Sequence, residues 1–139
     1  MSNILASLGI EQLKVLNKRI EQRRDNHTKY HSLVSDLKGV ELQQENNSDF
    51  YSNFWLNCII TNNPEISKST LIDEFTKQHI EVRSLWFPLH LQDYLKGSLY
   101  YGDNFSETLF DKGLCLPSSS NLTNEEFNRI GEVFKLLKK

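Results

Sequence analysis

Apolar side chains at Ile4, Leu5, Leu8, Ile10, Leu13, Leu16, Ile20, Tyr30, Leu33, Val34 and Leu37 recur mostly three or four positions apart, the repeat of one helix face. The spacing predicts a short first helix and a long second one, with the break at Gly9, because glycine costs about 1 kcal/mol against alanine inside a helix. Between Ile20 and Tyr30 the stripe gives way to Arg23, Arg24 and His27, so the middle of the long helix is expected to run along solvent or to face another domain. Gly39 is expected to end that helix in the left-handed conformation favoured just past a C-terminus.

Beyond Gly39 the repeat changes. Val40 to Gln43 reads as a short strand and Gln44 to Asp49 as a polar connection. The run Asn53 to Thr61 is apolar, aromatic and β-branched, is bounded by Asn62-Asn63-Pro64, and reads as the central strand. Ser67 suits the cap of a helix with Leu71, Ile72 and Phe75 on one face. Ile80 to Leu85 gives a second strand and Leu114 to Leu116 a short third. Thr123-Asn124-Glu125-Glu126 is a capping box, with Leu122 and Phe127 placed for a hydrophobic staple. Phe127, Ile130, Val133, Phe134 and Leu137 form the buried stripe of the last helix, and Lys135, Lys138 and Lys139 suit the negative end of its dipole. The sum is an α+β fold: a long N-terminal helix and further helices packed on a small mixed β-sheet.

A chain of 139 residues makes one domain with one core. Net charge is −2 and the basic residues are dispersed, so no nucleic-acid partner is expected. No run approaches the roughly 18 apolar residues of a membrane span, and no basic region precedes an apolar stretch, so the expected location is cytoplasmic, with no membrane partner. Cys58 and Cys115 sit inside apolar runs, the usual setting of reduced, buried thiols. Asn46-Asn47-Ser48 and Asn121-Leu122-Thr123 match a glycosylation pattern that has no meaning without a secretory signal. His27 and His31 lie four apart, a spacing compatible with a metal pair, but no third ligand is evident and a solvated face is expected. Phe50, Tyr51, Phe54 and Trp55 suit core and sheet-edge packing, and Tyr94, Tyr100 and Tyr101 either packing or an interface.

The segment Glu81 to Gln92 is the richest in chemistry: a cation, an indole, an imidazole and an amide around one proline. Pro88 holds Phe87 extended and donates no backbone hydrogen bond, so the segment reads as a strand leaving the core and turning into a loop. Such loops are where recognition concentrates. Taken singly, Arg83 suits an exposed ion pair, Trp86 packing, and His90 a hydrogen-bonded surface position.

Together, Arg83, Trp86, Pro88, His90 and Gln92 resemble the R-x-x-W-x-P-[LM]-H-x-Q signature near the C-terminus of the DegT/StrS-type nucleotide-sugar aminotransferases, which use pyridoxal phosphate. Two further blocks, in the same order, resemble that family. Met1-Ser2-Asn3-Ile4 with Gly9, Gln12, Leu13, Arg24 and Tyr30 is similar to its M-S-x-I-x-A-x-x-G-x-x-Q-L helix. Gly113-Leu114-Cys115-Leu116-Pro117-Ser118 with Leu122-Thr123 is similar to its G-L-x-L-P-S-x-x-x-L-T. The resemblance implies the small C-terminal domain of a fold type I aminotransferase, closest to the enzymes that form UDP-4-amino sugars for surface glycans. It further implies a homodimer that moves an amino group from glutamate to a nucleotide-linked keto sugar.

By the same resemblance Arg83, Trp86, His90 and Gln92 belong to the substrate pocket, the histidine at its mouth and the arginine and tryptophan in its wall. Departures from the pattern are Ser84 and Asp93 where proline is frequent, Phe87 where the closest subgroup often has lysine, and Ser7 for a common alanine. The family's Schiff-base lysine precedes a G-E-G-G-like stretch that does not occur here, and Met1 falls where the family has an internal methionine after N-Y-R. The expectation is a C-terminal domain without its N-terminal cofactor-binding domain, inactive alone and binding no pyridoxal phosphate. Two other readings stand beside it: a non-catalytic protein-interaction module, and a stand-alone sugar-nucleotide-binding domain.

Overall fold

The computed structural model describes residues 2–47 and 49–138. Met1, the aligned methionine, Ser48 of the first glycosylation pattern and Lys139 of the C-terminal basic group lie outside the described residues. The elements run α1 (Asn3–Lys14), α2 (Leu16–Val34), β1 (Val40–Leu42), β2 (Asn57–Thr61), α3 (Lys68–Lys77), β3 (Arg83–Ser84), α4 (Phe105–Lys112), β4 (Gly113–Leu116) and α5 (Asn124–Leu136). Single 3-10 turns at Leu89–Leu91 and Asp93–Leu95 interrupt the long loop before α4.

The four strands lie in the order β1-β2-β4-β3. All three pairings are antiparallel, so the sheet is not the mixed one expected from sequence. Directly opposed residues of an antiparallel pair share a face. The register therefore gathers Val40, Leu42, Asn57, Ile59, Thr61, Leu114 and Leu116 on one side. There they meet Tyr30 and Val34 of α2, Leu71 and Phe75 of α3, and Phe127, Ile130, Val133 and Phe134 of α5 in a single core. On the outer face, α4 brings Leu109 to a cavity shared with Cys58 and Ile60. With α2, α3 and α5 on one side of an antiparallel sheet and the short α4 on the other, the domain is α+β.

Several boundaries differ from the expectation, each for a local reason. Gly9 stays helical, and the break falls at Val15, whose ψ of 1° leaves the helical range. Val15 is β-branched and so a weaker helix former than the residues around it. Helix α2 ends at Val34, before Gly39, which instead turns the chain into β1 at φ +74°, where an added β-carbon would come within 3.2 Å of Asn63. The central strand starts at Asn57 and not at Asn53, because Phe54 takes a left-handed φ of +44°, held by the Ser52 hydroxyl accepting its N–H at 3.0 Å.

Strand β3 keeps only Arg83 and Ser84 of the six residues expected. Upstream, His79 at φ +54° closes α3 in a Schellman turn, its neighbour Ile80 donating to the Phe75 carbonyl at 3.0 Å. Opposite, Pro117 has no N–H to extend the ladder, and its carbonyl accepts the Tyr30 hydroxyl at 2.7 Å. A 390 Å³ cleft opens between the two segments.

The capping box of α5 is complete. Thr123 Oγ1 accepts the Glu126 N–H at 3.2 Å, and Glu126 Oε2 accepts the Thr123 N–H at 2.8 Å. Thr123→Ala is expected to lower stability by about 1 kcal/mol in urea unfolding. An unchanged midpoint would mean that α5 is held by its buried face alone.

Helix α1 has no buried residue, and Ile4, Leu5, Leu8, Ile10 and Leu13 are all more than half exposed. Helix α1 thus presents an exposed apolar face. The arginine-bearing middle of α2, expected along solvent or against another domain, instead has its side chains engaged within this domain. Arg24 pairs with both oxygens of Glu45 (2.9 and 3.2 Å) and donates to the Ser52 carbonyl, and Arg23 donates to the Trp55 carbonyl. Those contacts fasten the 43–56 connection along the helix.

Candidate substrate-facing loop

Arg83 enters this region from β3, where it is the register partner of Cys115. Its side chain is mostly exposed and pairs with Glu81, Nε and Nη2 lying 2.8 and 2.7 Å from Oε1. Two residues past the strand, Trp86 is 67% exposed, so it is not core packing. One side of its indole helps enclose a 420 Å³ cavity with Leu85, Leu109, Cys58, Ile60, Gln43 and Ser106. That cavity is walled mainly by apolar side chains, the usual character of a site for a flat or apolar ligand face.

Pro88 is buried and N-caps the 3-10 turn that carries His90. The imidazole is held on two sides: Nε2 lies 2.9 Å from Glu107 Oε1 of α4, and the ring stacks on Tyr100 with centroids 3.9 Å apart. Phe87 packs edge-on against Phe110 of α4 at 5.2 Å. Helix α4, which is not foreseen from the residue pattern, is thus what anchors the loop. Gln92 closes the turn through its backbone N–H, which bonds to the Leu89 carbonyl.

The four residues singled out from sequence share one loop but not one cavity. Arg83 lines the cleft beside Ile80, Pro117 and Arg129, Trp86 lines the cavity under α4, and His90 and Gln92 line neither.

A second polar cluster went unread in the sequence. His27, expected on a solvated face, is buried: it stacks on Phe54 with centroids 3.6 Å apart and its Nδ1 lies 3.0 Å from Asn57 Oδ1. Its polar position inside an arginine-rich stretch resembles a solvated face, and only the left-handed turn at Phe54 brings the ring over it. Among the described residues no group of three or more His, Cys, Asp or Glu side chains is placed to hold a metal ion.

Burial lowers the His27 pKa below 6.5, with Asn57 and Gln44 opposing and His31 and Arg24 adding to the shift. The unfolded chain then binds more protons than the folded one between that lowered value and 6.5, so stability is full above 6.5 and is lost as pH falls below it. Glu45, held below the usual carboxylate range by Arg24 and by the Ser52 N–H, adds a loss at more acid pH. Urea midpoints are expected to fall from pH 7 to 5, and His27→Gln to flatten that slope. An equal slope in the variant would remove His27 as its source.

No helix among the described residues is long and apolar enough to cross a membrane. The layer arrangement is that of sugar aminotransferases. The helices and strands together run from Asn3 to Leu136. The structure of TlmJ from Streptoalloteichus hindustanus superposes with a TM-score of 0.83 at 17% identity, over 94% of this chain and 35% of that one. The sugar aminotransferase Spr1654 of Streptococcus pneumoniae in its PMP form gives 0.82 at 24% identity, over 99% and 35%. Residues 1–135 match the model of the DegT/DnrJ/EryC1/StrS aminotransferase family, and the chain belongs to that family. EpsN of Bacillus subtilis (strain 168), named as a pyridoxal phosphate-dependent aminotransferase, is 39% identical over 137 residues, 96% of this chain and 35% of its own. The GDP-perosamine synthase of Escherichia coli O157:H7 is 27% identical over 126 residues, 91% and 33%. The chain therefore spans about a third of the length of the curated relatives it matches.

Family members use pyridoxal phosphate, and the residues described here do not fit it. None of the five cavities described is lined by a lysine. Lys68, which is half-buried, donates to the Phe110 carbonyl and lies 4.3 Å from the centre of that ring, with its pKa lowered by burial. A carbonyl and an aromatic face offer neither an acidic partner for a pyridine nitrogen nor donors for a phosphate.

Proposed function

We propose that this chain forms the substrate-facing wall of a pyridoxal-phosphate-dependent aminotransferase acting on a nucleotide-linked keto sugar. The observation that carries the reading is the match to the aminotransferase family over residues 1–135, within which the exposed Trp86 and the anchored His90 stand on one loop. The reactive lysine and the cofactor site belong to the other two thirds of such an enzyme, which pairs with a second copy of itself and takes its amino group from glutamate. A 4-amino sugar is the product class, in keeping with the GDP-perosamine synthases among the relatives.

Within that enzyme each loop residue has a physical task. Trp86 supplies a flat apolar surface for the sugar or the nucleotide base. Arg83 exchanges Glu81 for an anionic group of the nucleotide, for which its planar fork is suited. His90 stands at the pocket mouth, fixed by Glu107 and Tyr100, and Gln92 offers an amide beside it.

Trp86→Ala in the whole enzyme tests the reading. Loss of one stacking surface is worth about 1–3 kcal/mol, so KM for the nucleotide sugar is expected to rise about tenfold or more, with kcat nearly kept. Unchanged KM would remove Trp86 from the pocket.

A further inference from the structure

The outer face of the sheet holds two thiols that the aminotransferase reading leaves without a task. Gln43 N–H donates to the Cys58 carbonyl at 2.9 Å, so the backbone polar groups of Cys58 point toward β1. Both backbone groups of a strand residue face the same edge, so Cys58 makes no ladder bond toward β4. Its register partner there, Cys115, meets it at a non-hydrogen-bonded position, the antiparallel site where side chains come closest. The two sulfurs lie 3.7 Å apart, and both cysteines are free. Cys115 is buried, whereas Cys58 is partly exposed and lines the cavity beside Trp86 and Leu109.

Residues 57 positions apart in the chain thus stand one short sulfur movement from a covalent bond. Nothing else ties the pair: no metal-ligating side chain completes a cluster around it among the described residues.

We propose that Cys58 and Cys115 form a modification site, at which a peroxide entering through the Trp86 cavity converts the dithiol to an intrachain disulfide joining β2 to β4. One thiol releases its proton, the thiolate attacks a peroxide oxygen and breaks the O–O bond, and the departing hydroxide takes up a proton, leaving a sulfenic acid and water. The second sulfur attacks the sulfenic sulfur, the S–S bond forms, and a second water leaves with the remaining thiol proton. Each sulfur gives up one electron, and the peroxide takes both. Burial, with Cys115 beside it, pushes the Cys58 thiol up to about 12, so the reaction is slow at neutral pH and accelerates in alkali. The link lies on the strand that also carries β3, since Arg83 is the partner of Cys115 on the other edge of β4. The oxidised state therefore stiffens the base of the substrate-facing loop.

The reduced 139-residue chain, exposed to hydrogen peroxide in mildly alkaline buffer and then unfolded with iodoacetamide present, provides the test. The expected product is two hydrogens lighter, carries no alkyl group, yields one linked pair of tryptic peptides containing Cys58 and Cys115, and reverts with dithiothreitol. C58S and C115S should each lose that product. Two alkylated cysteines after the same exposure would overturn the proposal. So would sulfinic acid without linkage, or a disulfide between two chains. None of these outcomes depends on transamination, so failure here leaves the assignment of the domain untouched.

Discussion

Phe134→Ala is expected to destabilise the chain by about 3–5 kcal/mol, the largest stability effect of any single truncation considered. Phe134 is fully buried and meets Phe75 of α3 edge-to-face, with ring centroids 5.5 Å apart and planes at 80°. It lies beside Val133, in the core that α5 shares with α3 and the inner sheet face. Removing the ring deletes its transfer free energy, opens a cavity that the close-packed neighbours fill only in part, and forfeits the aromatic pair. A domain of this size is stable by about 5–15 kcal/mol, and α1 adds nothing to the core, so the variant should be near the edge of folding. Urea titration should show a lower midpoint at similar slope. A loss under about 1 kcal/mol would mean that α5 is not packed as described.

The parts of the fold legible in the sequence are those whose causes are local. The α5 cap is written in four consecutive residues, and its buried stripe in the repeat from Phe127 to Phe134. Ser67 accepts the Thr70 N–H at 3.1 Å, as its place before an amphipathic run predicts. What could not be read depends on contacts made across the chain. The late start of β3 needs Pro117 as its neighbour in space, and the late start of β2 needs Phe54 to turn over His27. Helix α4 has a partly apolar face that only the outer side of the sheet explains. The same division holds at the candidate loop. Its residue types stand in one short motif, while the division between two cavities, and the clamp of Glu107 and Tyr100 on His90, arise from tertiary packing.

The second large expectation concerns catalysis. Transamination requires an amine that forms an imine with the cofactor, held where an acid and phosphate donors converge. The lysines described here are spread over helix surfaces and connections, and the one with a lowered pKa, Lys68, is engaged with Phe110. The 139-residue chain, mixed with pyridoxal phosphate, glutamate and a nucleotide-linked keto sugar, should therefore give no turnover above a blank, an effect limited only by detection. The whole enzyme should turn over under the same conditions.

Absorbance of the folded chain titrated with pyridoxal phosphate tests the central claim most directly. The spectrum should remain that of free cofactor plus protein, and borohydride should fix no label at stoichiometric yield. A saturable visible band, reduced by borohydride onto one lysine and accompanied by amino transfer to the sugar, would contradict the assignment of the reactive amine to the other two thirds of the enzyme.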